Sequence, residues 1–236
     1  MKKRLDILIV EKGLAISRSQ ADSWIRLGKV TVNGRVVTKA GQFIPEDAEV
    51  KLTATEQYVS RAGLKLASVA NLLGVRFENS IVLDVGSSTG GFTDYALQHG
   101  AKKVVAVDVG TDQLHPSLRS DERIELHEKT DIRDFSTEEK ISIVVIDVSF
   151  IGLREILPSV IRIAPKALVV AMVKPQFEAG REQVNKGVIK NDSVRRQILH
   201  DFEVWAKQYF VIAGKRDSEV AGSKGNRERF YLLNIS

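Results

Sequence analysis

Five charged side chains stand where hydrophobic runs stop. Asp84 follows Ile81-Val82-Leu83, Asp108 follows Val104-Val105-Ala106-Val107, and Asp147 follows Ile143-Val144-Val145-Ile146. Lys174 follows Val169-Val170-Ala171-Met172-Val173, and Asp131 trails the run at 123–127. After Asp84 the chain reads Val85-Gly86-Ser87-Ser88-Thr89-Gly90-Gly91-Phe92, a buried strand breaking into a tight glycine turn and a helix start. Glycine lets the backbone turn with positive φ or approach a ligand closely. The spacing is D-x-G-x-x-x-G-G, with the acid two positions before the first glycine. A dinucleotide would place its pyrophosphate on a bare helix N-terminus, and a carboxylate at that mouth would repel it. S-adenosyl-L-methionine carries a sulfonium and an ammonium and no phosphate, so the same carboxylate attracts it. The turn therefore favours this donor over a nicotinamide cofactor or an inert connection. Asp84, Gly86, Ser87, Ser88, Thr89, Gly90, Gly91 and Phe92 are the expected donor-binding residues. Asp108, 24 positions after Asp84, can accept hydrogen bonds from both hydroxyls of a ribose. Asp131 is either an acceptor for an adenine amino group or a turn acid.

Asp147 and Lys174 form a second constellation. One buried strand ends in a carboxylate, and the next ends in a lysine that Pro175 cuts off from further pairing. A carboxylate beside a lysine orients it and stabilises its charge. A structural salt bridge would explain the pair alone, but both residues emerge at the donor end of the strands, which also makes Asp147 a donor-site candidate. Lys65, on a helix over 61–73 with Leu66, Val69, Leu72 and Leu73 inward, reads by itself as a surface lysine.

The elements that position these side chains alternate: strand 81–84, helix 90–99, strand 103–108, a short helix near 112–119, strands 123–127 and 141–147, helix 151–163 and strand 167–173. That order specifies an α/β fold with a doubly wound, mostly parallel sheet, whose ligands sit at the carboxyl ends of the strands. A lid or RNA-contacting loop is expected over 179–190, then a helix capped by Asp192 or Ser193 with Val194, Ile198, Phe202 and Trp205 inward. A strand over Phe210–Ala213, a basic loop over 218–226 and a closing strand from Glu228 complete the pattern.

The 236 residues, 43% of them hydrophobic, contain no cysteine, so no disulfide or thiolate metal site is available and nothing points to export. No apolar run is long enough to span a bilayer. The expectation is a soluble cytoplasmic protein, with oligomeric state unread. Residues 1–40 carry nine Lys/Arg against three Asp/Glu, a net of +6 in a chain whose total is +5. A basic first quarter on a near-neutral body suggests a module that holds a polyanion.

That module is expected over residues 1–55, with a linker at 56–60 and the α/β unit at 61–236. Leu5, Leu8, Ile9 and Leu14 mark a first helix. Ser17 or Ser19 caps a second, whose apolar face is Ala21, Trp24, Ile25 and Leu27. Val30–Val32 and Arg35–Val37 form a hairpin about Asn33-Gly34, and Gly41–Leu52 supplies one more turn and strand. Tyr58 in the linker is either a packed anchor or a nucleotide stacker.

Leu5-Asp6, Ser17-Arg18-Ser19-Gln20-Ala21, Ile25-Arg26-Leu27-Gly28-Lys29-Val30 and Val32-Asn33-Gly34 resemble the small RNA-binding domain of ribosomal protein S4. The resemblance implies phosphate contacts from Lys3, Arg4, Arg18, Arg26, Lys29 and Arg35, with Ser19 and Gln20 as polar contacts and Arg61 as a further cation toward RNA. Such contacts position a protein on RNA without reading sequence. Tyr58-Val59-Ser60-Arg61-Ala62-Gly63-Leu64-Lys65-Leu66, the turn at Asp84–Asp94, Asp147-Val148-Ser149-Phe150-Ile151, Val173-Lys174-Pro175-Gln176-Phe177-Glu178 and Gly225-Asn226-Arg227-Glu228 extend a resemblance over nearly the whole chain. It is to the TlyA family of rRNA ribose methyltransferases, historically labelled haemolysins. Their catalytic domain is similar to the FtsJ/RrmJ-type 2′-O-methyltransferases. The resemblance implies a catalytic tetrad of Lys65, Asp147, Lys174 and Glu228, S-adenosyl-L-methionine as donor, no metal, and ribosomal RNA or ribosomal subunits as partner, with a cytidine ribose as target. A lysine acts as a base only when its pKa falls from about 10.4, which a neighbouring cation such as Lys65 promotes and Asp147 opposes. A base methyltransferase would share the donor turn but usually carries Asn/Asp-Pro-Pro-aromatic where this chain has Asp147-Val148-Ser149-Phe150. A non-catalytic ribosome-assembly factor would need no tetrad, and a membrane-lytic haemolysin would need an insertion segment that the sequence lacks.

Overall fold

Two short helices with apolar residues on one face organise the first fifty residues. Strand β1 (Lys2–Arg4) runs into helix α1 (Leu5–Glu11), followed by α2 (Arg18–Arg26), β2 (Val30–Val32), β3 (Arg35–Val36), β4 (Phe43–Pro45) and β5 (Val50–Leu52). In this computed structural model the described residues are 1–15, 17–26, 28–53, 58–179, 188–189, 191–222 and 225–236. Ser17 Oγ accepts the amide of Gln20 at 3.2 Å, so the first of the two expected serines caps α2. Asn33 and Gly34 both take positive φ, 49° and 76°, the primed turn that matches strand twist and joins β2 to β3. β2 also pairs with β5. The antiparallel pair β1–β4 was not expected from the sequence, because its segments Lys2–Arg4 and Phe43–Pro45 are each only three residues long and too short to show a period. Leu5, Leu8, Ile9, Ala21, Trp24 and Ile25 are buried. Leu14 falls beyond α1, which stops at Glu11, and is only half-buried. Leu27 lies outside the described residues.

The larger unit begins with α3 (Arg61–Ala70), capped by Ser60 Oγ, which accepts the amide of Ala62. Leu66, Val69, Ala70 and Leu73 are buried, whereas Leu72 is 61% exposed and not inward as expected. Spacings of three, four and seven from Leu66 define the buried face, and position 72 falls off it. Then come β6 (Ile81–Val85), α4 (Gly91–Gln98), β7 (Lys103–Val107), α5 (Pro116–Arg119), β8 (Ile124–His127), β9 (Ile143–Ile146), α6 (Leu153–Ile163) and β10 (Leu168–Val173). After these stand α7 (Pro175–Glu178), α8 (Asp192–Ala206), β11 (Phe210–Asp217) and β12 (Arg229–Ile235). The α8 cap is Asn191, not Asp192 or Ser193: its side chain accepts the Ser193 amide at 2.8 Å from an extended backbone.

The strands form one seven-stranded sheet in the order β11-β12-β10-β9-β6-β7-β8. β10, β9, β6, β7 and β8 are parallel, and β12 and β11 add an antiparallel edge. Alternate residues feed opposite faces: Val82, Val104, Val145 and Val170 pack on one side, Leu83, Val105, Val144 and Val169 on the other. The first of these clusters is continuous with the core of the small unit. Sequence order runs outward in one direction from β6 and in the other from β9, so their boundary is the topological switch point, where such sheets open a crevice at the carboxyl ends. Among the described residues no helix is long and apolar enough to cross a membrane.

Candidate active site and nucleic-acid face

The crevice is built where β6 and β9 end side by side. The Asp147 amide donates to Val85 O at 3.0 Å. Gly86, at φ 81°, faces the Asp147 carbonyl so closely that a Cβ would sit 2.7 Å from it. Only glycine fits that crossing. Beside it lies a cleft of 330 Å³ lined by Gly86, Ser88, Asp108, Asp131, Asp147 and Ser149, with Val109, Ile132, Val148 and Phe150 as apolar walls. This matches the volume of small-molecule sites, roughly 300–1,000 Å³. An adjoining recess of 80 Å³ is lined by Ser60, Asp84, Gly86, Ser87, Ser88, Thr89, Phe92 and Asp147.

Asp84 is 1% exposed. Its Oδ2 accepts Thr93 Oγ1 at 2.6 Å, while Oδ1 has no hydrogen-bond donor among the described residues. Burial pushes its carboxyl up to about 7, the Thr93 hydrogen bond opposes this, and the charge of Asp147 adds to it. An orphaned buried carboxylate facing a recess suits a cationic ligand. Asp108 is fixed by two amides, Ser88 N on Oδ2 at 2.8 Å and Gly110 N on Oδ1 at 2.7 Å, and still presents lone pairs to the cleft. Asp131 is gripped by Arg133 Nη2 at 2.7 Å, which holds its carboxyl below the usual range. Two expected donor residues do other work. Gly90, at φ 93°, forms the start of α4 against Leu114 and Leu118, and Gly91 packs on α3, where a Cβ would strike Ser60 Oγ and stand 2.7 Å from Gly63 N. Neither lines the cleft or the recess.

Two lysine–carboxylate pairs stand at the same edge of the sheet. Lys174 Nζ lies 2.5 Å from Asp147 Oδ1 and donates to Ser149 Oγ at 2.8 Å. Lys65 Nζ lies 2.6 Å from Glu228 Oε2. Lys65 is 7% exposed and Lys174 is 9%, so neither is the solvated cation its residue type suggests. Glu228 immediately precedes Arg229, which is paired with Val173 across β12 and β10, and this register sets Glu228 across from Lys174. Ser149 was not singled out from the sequence. Its position two residues after Asp147, just beyond the end of β9, was the available signal. Phe150 is 92% exposed at φ 70°, a conformation that strains a bulky side chain, and its ring lies 5.3 Å from that of Phe177.

On the small unit Arg4 and Arg18 both bind Asp6, Lys3 binds Glu11 and Arg26 binds Asp22. Lys29 and Arg35 are exposed, and Arg61 is half-buried at the start of α3. Gln20 is a correction. It is 2% exposed, and its Nε2 donates to Tyr58 O at 2.8 Å, because α2 packs toward the segment entering α3. It is therefore not a surface side chain. Tyr58 is the packed anchor and not a stacker, buried with its ring 5.4 Å from Tyr95. The Ser19 side chain, residues 54–57, residues 180–187 and 190 of the loop expected over 179–190, and residues 223–224 lie outside the described residues.

Residues 58–235 match the FtsJ-like methyltransferase model and residues 3–50 the S4 domain. The chain belongs to the FtsJ-like methyltransferase family. It is 38% identical to the 23S rRNA (cytidine-2′-O)-methyltransferase TlyA of Campylobacter jejuni, over 94% of this chain and 96% of that protein. The 16S/23S rRNA (cytidine-2′-O)-methyltransferase TlyA of Mycobacterium tuberculosis is 34% identical, over 98% and 90%. A solved structure from Streptococcus thermophilus carrying the hemolysin name is 40% identical, with a TM-score of 0.74, covering all of this chain and 89% of that one. This FtsJ-like methyltransferase thus shares its two-part architecture with TlyA proteins, and the hemolysin label travels with the same fold.

Proposed function

We propose that this enzyme methylates a ribose 2′-hydroxyl of ribosomal RNA, on a cytidine, with S-adenosylmethionine as donor. Residues 1–55 supply RNA affinity and residues 61–236 the chemistry. The observation that carries the reading is the pair of buried lysine–carboxylate contacts, Lys174–Asp147 and Lys65–Glu228, at the sheet edge that also opens the donor cleft. The TlyA relatives, named for this reaction on rRNA, support the choice of target. The cleft residues fit the donor: Asp84 offers a buried acceptor to a cation, Asp108 an acceptor to a ribose, and the apolar walls a slot for a flat ring. Bound there, S-adenosylmethionine supplies an activated methyl group.

The protein's own residues act on the acceptor. Lys174 Nζ is placed to receive the hydroxyl proton as the 2′-oxygen bonds to the methyl carbon and that carbon's bond to the donor sulfur breaks. Asp147 and Ser149 hold that amine in one place and stabilise the ammonium that results. Lys65, tied to Glu228, sets a cation beside the ribose oxygens. Holding hydroxyl and methyl in line is worth up to roughly 7–11 kcal/mol, and proton removal about 10²–10⁴-fold. Phe150, exposed at the lip, offers a flat face on which a nucleobase stacks.

The test incubates the protein and its Lys174→Ala variant with labelled donor and ribosomal subunits from cells lacking the gene, then maps label by ribose-methylation sequencing. Label on one 2′-oxygen, lost in the variant while donor binding persists, is the expected result. Label on a base, or none with donor bound, would overturn it.

A further inference from the structure

The cationic face of the small unit contains a carboxylate that charge counting alone would remove. Asp6 sits on the first turn of α1 with its side chain 5% exposed. Arg4 donates Nε to Oδ1 and Nη2 to Oδ2, each at 2.9 Å, and Arg18 donates Nη2 to the same Oδ2 at 2.9 Å. The two guanidinium side chains remain 40% and 60% exposed. The Arg4 hydrogen bonds foremost, opposed by burial and aided by Arg18, hold the Asp6 carboxyl down to about 2. The Arg4 guanidinium lies against Gly41, where a Cβ would be 3.5 Å from Nη2. Gly41 in turn lines an open recess of 520 Å³ together with Arg26 and Lys39. A buried acid thus stands behind a row of cations that borders a surface hollow.

We propose that Asp6 is a positioning residue for RNA binding, which fixes Arg4 and Arg18 for contact with phosphodiesters beside the 38–42 recess, so that its negative charge strengthens the complex. The proposal rests on the reading that the small unit binds RNA. A free arginine surrenders rotamer freedom when it engages a phosphate. The bidentate fork on Asp6 removes that freedom beforehand for Arg4, and the single bond to Arg18 leaves most of its N–H groups pointing outward. Arg26, held by Asp22 at 2.8 Å, repeats the device on α2. The plainer alternative is that Asp6 only ties β1, α1 and α2 together.

The two differ in the sign of a measurable effect. The full-length protein is titrated into a fluorescein-labelled RNA hairpin across a salt series, with circular dichroism confirming folding. Asp6→Asn removes a negative charge from an RNA-facing surface, yet it weakens binding near 0.15 M salt. The expected loss is about fivefold for each phosphate that Arg4 or Arg18 no longer holds, and the salt slope flattens by about one for each. In an Arg4→Ala/Arg18→Ala background the same change leaves binding unaltered or slightly tighter. Arg4→Lys/Arg18→Lys keeps the charge but not the fork, and loses affinity as Asp6→Asn does. Tighter binding by Asp6→Asn in the wild-type background overturns the proposal, as does equal weakening in both backgrounds. An Arg4→Ala/Arg18→Ala variant that binds RNA normally overturns the proposal alone, whereas normal binding with Lys3, Arg4, Arg18, Arg26, Lys29 and Arg35 all changed to Ala removes the underlying reading as well.

Discussion

Replacing Asp84 by Asn tests the donor site through a group whose burial can be converted into energy. Its carboxyl is raised from 3.8 to about 7 at 1% exposure, a difference of about 3 pKa units, or about 4 kcal/mol. Because the folded-state value lies above the unfolded one, the folded protein keeps this proton while the unfolded chain has lost it. The contribution of Asp84 to stability therefore falls as pH rises from about 4 to about 7 and levels off above. Asp84→Asn abolishes that slope and preserves an acceptor for Thr93. Relative to wild type it gains little at pH 4.5 and up to about 4 kcal/mol at pH 8, read from urea unfolding at both values. Donor binding moves oppositely. A cation against Asp84 requires the ionised form, so wild-type affinity for S-adenosylmethionine, measured by titration calorimetry, drops toward tenfold per pH unit below about 7. The variant binds weakly and without that dependence. Equal donor affinity for the two proteins, or a stability difference unchanged between pH 4.5 and 8, would refute the assignment of Asp84 as the buried counter-charge.

Lys174→Ala should lower kcat by about 10²–10⁴-fold with donor affinity intact in the same calorimeter; a loss confined to KM would move Lys174 to binding. Glu228→Gln should likewise reduce kcat and leave RNA affinity unchanged, since it unpairs Lys65 without touching the small unit. Phe150→Ala should weaken RNA engagement by about 1–3 kcal/mol per stacked base while raising the melting temperature slightly, because the strained backbone at φ 70° is easier for a smaller residue. Gly91→Ala should destabilise by about 1–3 kcal/mol, as its Cβ meets Ala62 Cβ and Gly63 N at 2.7 Å; a thermal melt reads it.

The sheet was legible because each of its buried strands is a short apolar run ending in a charge or a turn, and the alternation of strand and helix admits few topologies. Asp84, Asp108 and Asp147 were legible for the same reason: a strand end is a place where an acid needs an explanation. Gly90 and Gly91 were assigned to the ligand because a glycine-rich turn looks alike whether a ligand or a neighbouring element presses on it; only the packing of Leu114 and Leu118 on Gly90, and of α3 on Gly91, shows what presses on each. Gln20 was read as a surface contact because Arg18, two positions before it, is cationic and exposed, while the face it occupies is fixed by how α2 meets Tyr58. The strands β1 and β4 left no trace, since segments of three residues are too short to carry a period. The burial of Lys65 could not be seen from its own helix, because it depends on Glu228, a partner 163 positions later in the chain.

That last separation bears on synthesis. The parallel strands β6 to β10, with the cleft residues at their ends, precede β12 in the chain, whereas Glu228 and the antiparallel partner of β10 arrive only with the final hairpin. A nascent chain emerging residue by residue can shape the donor cleft early, but it leaves Lys65 without its counter-ion and one flank of β10 without hydrogen bonds until that hairpin docks. On the proposed chemistry, the order of translation is itself a safety catch: the enzyme is armed only once β12 has been made.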